Sequence, residues 1–267
     1  MTLIAILLGT LVAGIGSVWL AAALSFGALA RYTQHMLSLS AGALMATAFM
    51  HLLPEAFESQ ASAHDLFMAL LIGVVFFFLL DKAELWHHGH EHHHAHDAPH
   101  DPAYHHGHDH AQGSTRVAGT WAVLTGDSVH CFGDGVLIAS AFMADMHLGV
   151  IASIAVLAHE VPHHMGDLMV LRSGSASKRA ALVKVSLAGA VTALGGLIGF
   201  WLIDRLQDYL PYFLVVASSS FIYVALADLI PQLQKRLTAR QTAAQVAWLI
   251  AGIVLVTLVS GLAHGGH

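Results

Sequence analysis

"HEVPHHMGD", residues His159 to Asp167, contains His159-Glu160-x-x-His163, the spacing that on one helix supplies two imidazoles and a carboxylate to zinc. The residues on either side are those of a membrane span, and Pro162 lies inside the motif. A second polar stretch, "GDSVHCFGDG", Gly126 to Gly135, lies in the hydrophobic segment just upstream. The two stretches belong either to an enzyme that uses a metal or to a protein that moves one. The solvent around them decides how they are read.

Of the 267 residues, 56% are hydrophobic and 10% are charged, with a mean hydropathy of +0.66. A soluble domain carries about 25% charged residues, so lipid surrounds most of this chain. One cysteine excludes an internal disulfide. A formal charge of −6 gives no reason to expect a nucleic-acid partner. The 22 histidines are twice the Lys and Arg count of 11, and histidine is the commonest metal ligand.

A helical span needs about 20 mostly apolar residues. The sequence predicts an all-α integral membrane protein with eight transmembrane helices in a single domain, 1–267. The spans are Leu3–Leu24, Met36–Leu53, Leu66–Leu80, Trp121–Met143, Leu148–Val170, Ala181–Ile203, Tyr212–Ile230 and Ala243–Leu262. The first lacks the basic flank of a secretory signal and is too long for its apolar core, so it counts as a span. Four loops on one side of the membrane hold 10 of the 11 basic residues, and only Arg205 lies opposite. The positive-inside rule puts those loops in the cytoplasm and both termini outside. A cell or inner membrane is the expected location. Residues 84–118 form the second cytoplasmic connection, the third loop of the chain. It carries "HHGHEHHHAHDAPHDPAYHHGHDH", His87 to His110, with 12 histidines. Such a tract cannot bury a core and is expected to be disordered, with weak and exchangeable metal capture. "HLLPEA" (51–56) closes span 2 and "DLIPQL" (228–233) closes span 7, and these spans cross in opposite directions. That is the echo expected of an inverted repeat of two three-helix units around a central pair, 3+2+3.

Each ionisable group at membrane depth costs at least ~2.5–3.5 kcal/mol. Spans 4 and 5 carry Asp127, His130, Asp134, His159, Glu160, His163, His164 and Asp167. Helical spacing puts His130 and Asp134 on one face, with Asp127 a turn before. His159, His163 and Asp167 form one row on span 5, and Glu160, His164 and Asp167 a second beside it. Facing helices then offer His130 and Asp134 opposite His159 and His163, a nitrogen and oxygen set suited to Zn²⁺ and its neighbours. Cys131 is either an added thiolate or a packing residue, and Glu160 can bridge to a second ion. Pro162 removes a helix hydrogen bond and frees the Ala158 carbonyl, which is expected to open the helix beside the ligands. On span 2, His51 and Glu55 are either outer ligands or an ordinary helix-end pair.

"HCFGDG" and "HEVPHHMGD" together resemble the paired signatures of the ZIP (Zrt/Irt-like) metal transporters, closest to the subgroup whose fifth span reads HExPHExGD. The resemblance extends to eight spans, outer termini, the His-rich third loop and "HLLPEA". It implies movement of Zn²⁺ toward the cytoplasm, with Cd²⁺, Fe²⁺ and Mn²⁺ as alternative cargoes. It also implies spans 1, 4, 5 and 6 moving against spans 2, 3, 7 and 8. By position, it implies that His130, Asp134, His159 and His163 hold the primary ion, with Glu160 and Cys131 at a second site. Cys131 stands where the family has Asn, His164 where the subgroup has Glu, and Gln232 where span 7 often ends in Pro-Glu.

The expected partners are divalent ions, the bilayer and a second copy of the chain, with no catalytic cofactor. Two rival readings exist. An intramembrane HExxH metalloprotease uses the Glu as general base, but the only Asp-Gly partner, Asp134-Gly135, lies upstream rather than downstream, and Pro162 bends the helix within the ligand pair. A cation-diffusion-facilitator-like efflux carrier also has a His-rich loop. It is expected to have six spans and a soluble C-terminal domain, whereas this sequence ends at its last span.

Overall fold

A computed structural model describes residues 1–25, 33–89, 112–174, 177–233 and 238–264. Among these residues every regular element is a helix. The first span is α1 (Thr2–Leu11), a π segment (Val12–Gly16) and α2 (Ser17–Ser25) in unbroken succession. The second is α3 (Thr33–Thr47), a π segment (Ala48–Leu52) and α4 (Leu53–Phe57). Then come α5 (Ala63–Gly89), α6 (Gln112–Ala144), α7 (Met146–Gly174) and α8 (Lys178–Arg205). A 3₁₀ turn (Gln207–Tyr209) leads into α9 (Leu210–Tyr223), a π segment (Val224–Leu229) and α10 (Ile230–Leu233). The last helix is α11 (Ala239–His264).

Among the described residues, six helical stretches are long and apolar enough to cross a membrane: Thr2–Leu24, His35–Phe57, Ala63–Leu80, Arg179–Arg205, Gln207–Ala227 and Ala239–Ser260. The other two expected spans correspond to α6 and α7. Both are long enough, but the acids and histidines spaced along them lower their hydropathy. The exterior is apolar, and a group of ionisable residues lies buried within an otherwise apolar interior. Leu8, Trp19, Leu71, Phe76, Leu187 and Trp201 are exposed, while Asp127, Asp134, His159, Glu160 and His164 are buried. Water would penalise that exterior, and hydrocarbon does not.

Two corrections to the sequence reading concern helix extent. α5 continues to Gly89 and α6 begins at Gln112, so 84–89 and 112–118 are helical rather than part of a disordered connection. Extending a formed helix adds one hydrogen bond per residue fixed, and neither stretch contains a proline. The remainder of the His-rich tract, 90–111, lies outside the described residues. α7 also runs through Pro162 without a break. The carbonyl freed at Ala158 is taken up by the Ser40 hydroxyl of α3, which also lies 2.8 Å from its own Met36 carbonyl. Neighbouring helices rescue proline-orphaned carbonyls in lipid in this way.

α6 and α7 are separated by one residue, Asp145. Its Oδ1 accepts the backbone N–H groups of His147 at 2.8 Å and Leu148 at 3.2 Å, capping α7 at its N-terminus. α6 packs on α8 and α7, and α1 and α2 pack on α8 and α7 respectively. α3 packs on α11, and α5 on α9. α3 also lies against α7, and α6 against α9. The α6–α8 contact depends on small residues. A methyl on Gly135 would meet the Thr192 carbonyl, and one on Gly195 would meet the backbone of Phe132, next to the polar stretch. Gly195→Val should therefore push α8 off α6 and cost about 1–3 kcal/mol, seen as a lower unfolding midpoint in detergent. Gly133 has open space around a Cβ, so Gly133→Ala should leave that midpoint nearly unchanged.

Candidate metal centre

α6 and α7 together carry the eight polar residues singled out on spans 4 and 5, now in measurable relation. The Nε2 atoms of His130 and His159 are 3.4 Å apart. Asp134 Oδ2 is 3.1 Å from His159 Nε2 and 3.9 Å from His130 Nε2. Glu160 Oε1 is 3.3 Å from each of those two nitrogens. His130, Asp134, His159 and Glu160 thus form a first group of four donors, mutually within 4.8 Å.

Glu160 faces a second group with its other oxygen. Oε2 lies 3.1 Å from His164 Nε2 and 4.0 Å from Cys131 Sγ. Asp127 Oδ1 completes this group, 3.6 Å from both Cys131 Sγ and His164 Nε2. The same Asp127 oxygen is 3.7 Å from His163 Nδ1, which is 3.3 Å from Asp167 Oδ2. Asp127, His163 and Asp167 form a third group. The groups share ligands in turn, the first and second through Glu160 and the second and third through Asp127.

The angles matter as much as the distances. Among the described residues, Asp134 Oδ2 and Glu160 Oε1 make no well-aligned hydrogen bond, although imidazole nitrogens stand beside them. Asp127 Oδ2, His163 Nδ1 and Asp167 Oδ2 are in the same condition. Buried polar atoms are normally paired. Donor atoms that crowd together without bonding one another can serve as ligands of a cation.

His163 does not join His130, Asp134 and His159, as the position-by-position reading expected; Glu160 takes that place. Its Nδ1 faces Asp127 Oδ1 and Asp167 Oδ2 in the third group. His163 instead stacks on His130, with ring centroids 5.3 Å apart and an interplanar angle of 24°. These two rings are 37% and 28% exposed, whereas the other donors of the first two groups are almost fully buried, so the pair borders the open side of the site. Cys131 is fully buried within the second group. His51 and Glu55 lie on the π segment of the second span and on α4, outside all three groups.

Sequence reasoning missed the serines. Ser17 Oγ is 3.0 Å from His164 Nδ1, and Ser40 supports α7 at Ala158. Their only signal was a hydroxyl within an apolar span. Phe221 of α9 closes the far side, with its ring centroid 6.5 Å from that of His159.

Residues 1–260 match the family described as ZIP Zinc transporter. Zinc transporter ZIP10 of Homo sapiens is 36% identical over 154 residues, 57% of this chain and 18% of that protein. Zinc transporter ZIP13 of Pongo abelii is 27% identical over 286 residues, 97% of this chain and 79% of that protein. Zinc transporter ZIP4 of Homo sapiens is 36% identical over 115 residues, 43% of this chain and 18% of that protein. The chain therefore spans under a fifth of the length of the ZIP10 and ZIP4 proteins.

Ser40→Ala should leave the Ala158 carbonyl unpaired beside the first group, at a cost of about 1–3 kcal/mol in thermal unfolding. Ser40→Thr, which keeps the hydroxyl, should recover most of the loss.

Proposed function

Because the chain belongs to the ZIP zinc transporter family, we propose that it carries Zn²⁺ across a membrane toward the cytoplasm along the line of donors between α6 and α7. The observation that carries the reading is the sharing of ligands. Glu160 serves the first and second groups, and Asp127 the second and third. An ion passing between neighbouring groups keeps one ligand while it exchanges the others. No full dehydration step is then needed between stations. Imidazole, carboxylate and thiolate together suit Zn²⁺, with Cd²⁺ as a close mimic and Fe²⁺ and Mn²⁺ as weaker candidates.

Each residue has a task on this reading. His130, His159, Asp134 and Glu160 strip the ion of water. Cys131, His164 and Asp127 receive it. His163 and Asp167 release it on the side where the basic loops lie, with both termini opposite. His51 and Glu55 are the outer approach. The His-rich tract collects the released ion weakly.

Eight spans in a 3+2+3 inverted repeat fit the packing. α6 and α7 are enclosed by the six apolar stretches, which makes their polarity tolerable at membrane depth. A π segment precedes Pro54 on span 2 and another precedes Pro231 on span 7. The contact of α3 with α11 becomes that of α9 with α5 when spans 1–3 are exchanged for spans 6–8 in order. Most of the close helix packing lies within spans 1, 4, 5 and 6 or within spans 2, 3, 7 and 8, with α3 on α7 and α6 on α9 between the two sets. Movement between those two bundles would open the line of donors to each face in turn. A homodimer is compatible with the long apolar exterior.

The protease reading needs His159 and His163 on one zinc and Glu160 free to act on water. Here the two imidazoles belong to different groups, and both oxygens of Glu160 face other donors. Both facts count against it. The efflux reading predicts the opposite direction of flux.

Reconstituted in oriented proteoliposomes, the wild type should move Zn²⁺ toward the face bearing the basic loops. His159→Ala and Glu160→Ala should lower the flux at least tenfold, while deletion of 87–110 leaves a measurable rate. Wild-type flux in either point variant would remove that residue from the path. Metal binding requires neutral imidazole and ionised carboxylate, so flux should fall as the pH of the loading side drops below about 6. A steady rise over that range would contradict the ligand assignment.

A further inference from the structure

The first span contributes no carboxylate, imidazole or thiol, yet it touches the second group at one point. Ser17, the first residue of α2, is buried, with its hydroxyl 2.6 Å from the Gly14 carbonyl and 3.0 Å from Nδ1 of His164. A serine has a single hydroxyl hydrogen and two lone pairs. The Gly14 carbonyl can only accept, and it stands at the shorter distance, so it takes that hydrogen. Ser17 therefore turns a lone pair to His164, and Nδ1 must be the nitrogen that carries a proton. Nε2 is left facing Glu160 Oε2 at 3.1 Å, Asp127 Oδ1 at 3.6 Å and Cys131 Sγ at 3.9 Å.

Ser17 is not free to drift from this role. A methyl on Gly14, one turn earlier, would collide with the Gly189 carbonyl and with Thr192, so the first span is pressed against α8 there. The π segment Val12–Gly16 ends immediately before Ser17 and sets the direction in which its hydroxyl emerges.

We propose that Ser17 is a positioning residue that fixes the tautomer of His164, so that Nε2 is the nitrogen presented to Asp127, Cys131 and Glu160, the second group of the path proposed above. The inference rests on the reading of α6 and α7 as the metal path and concerns only its second group. Two observations besides the cysteine point to a ligand there. Asp127 is almost fully buried with Oδ2 unpaired, and His164 is wholly buried with Nε2 directed into the group. One sulfur, one nitrogen and two carboxylates favour Zn²⁺ and Cd²⁺ over the oxygen-seeking Mg²⁺, Ca²⁺ and Mn²⁺. Binding forms the sulfur–metal bond as the thiol proton leaves to water. A ligand imidazole held through its other nitrogen is the usual arrangement at metal sites, and loss of such support lowers affinity about 10–100-fold.

The chain has a single cysteine, so the ultraviolet charge-transfer band of thiolate to Cd²⁺ reports this position alone. The full-length protein in detergent is titrated with Cd²⁺ while total bound Cd²⁺ is measured by equilibrium dialysis. Wild type should develop the band. Ser17→Ala should need about 10–100-fold more Cd²⁺ to do so, and Ser17→Thr should titrate as wild type. In parallel, NMR of histidine-labelled wild type loaded with a spin-active cadmium isotope should show coupling to Nε2 of His164. That spectrum decides the matter even if Ser17→Ala does not fold. An unshifted titration in Ser17→Ala, or cadmium coupled to Nδ1 of His164, overturns the positioning role. Saturable Cd²⁺ binding without the band overturns the sulfur position while leaving the carrier reading intact. Absence of both binding and zinc flux would sink that reading too.

Discussion

Glu160 holds a carboxylate between two sets of donors, with one oxygen 3.3 Å from His130 and His159 and the other 3.1 Å from His164. Such a group is expensive anywhere in hydrocarbon, at least ~2.5–3.5 kcal/mol before its neighbours are counted. Asp127, Asp134 and four histidines share the same space. The rest of the fold answers to this concentration of polarity. Small residues let α8 lie flush against α6, Ser40 repairs the proline-freed carbonyl of α7, and apolar helices surround the pair. Internal pairing does not fully solvate the donors, since several oxygens remain without an aligned hydrogen bond. On the proposed reading, a visiting dication is the solvation that completes them.

A carrier must release what it binds, and the arrangement suits that need better than one tight cage would. A closed structural zinc site uses four ligands of its own. Here adjacent groups compete for Glu160 and Asp127, so filling one weakens the next. The exposed pair His130 and His163 borders the open side of these groups. On the proposed reading an ion exchanges ligands stepwise, and movement between the two bundles changes which end is open.

Much of this was legible beforehand because helical periodicity is a strong rule. The rows His130/Asp134 and His159/His163/Asp167 follow from spacing alone, and the two stretches do face each other. What spacing could not supply is which side chains of a row converge. It set His163 opposite His130 and Asp134, whereas Glu160 is the residue grouped with them and His159. Nor does periodicity register a lone hydroxyl, so Ser17 and Ser40 passed unnoticed among apolar neighbours. Pro162 was read as a break because proline removes a hydrogen bond; the partner that restores it lies on another span. The π segments before Pro54 and Pro231 were likewise invisible, since they follow from backbone packing rather than residue type.

The account stands or falls on a cation occupying the space between α6 and α7. Anomalous diffraction from crystals soaked in Zn²⁺ or Cd²⁺ tests this most directly. The account predicts a peak bounded by His130, Asp134, His159 and Glu160, with a further peak beside Cys131 at higher metal concentration. Metal found only at the surface or on the His-rich tract, in protein that still carries zinc in liposomes, would contradict it.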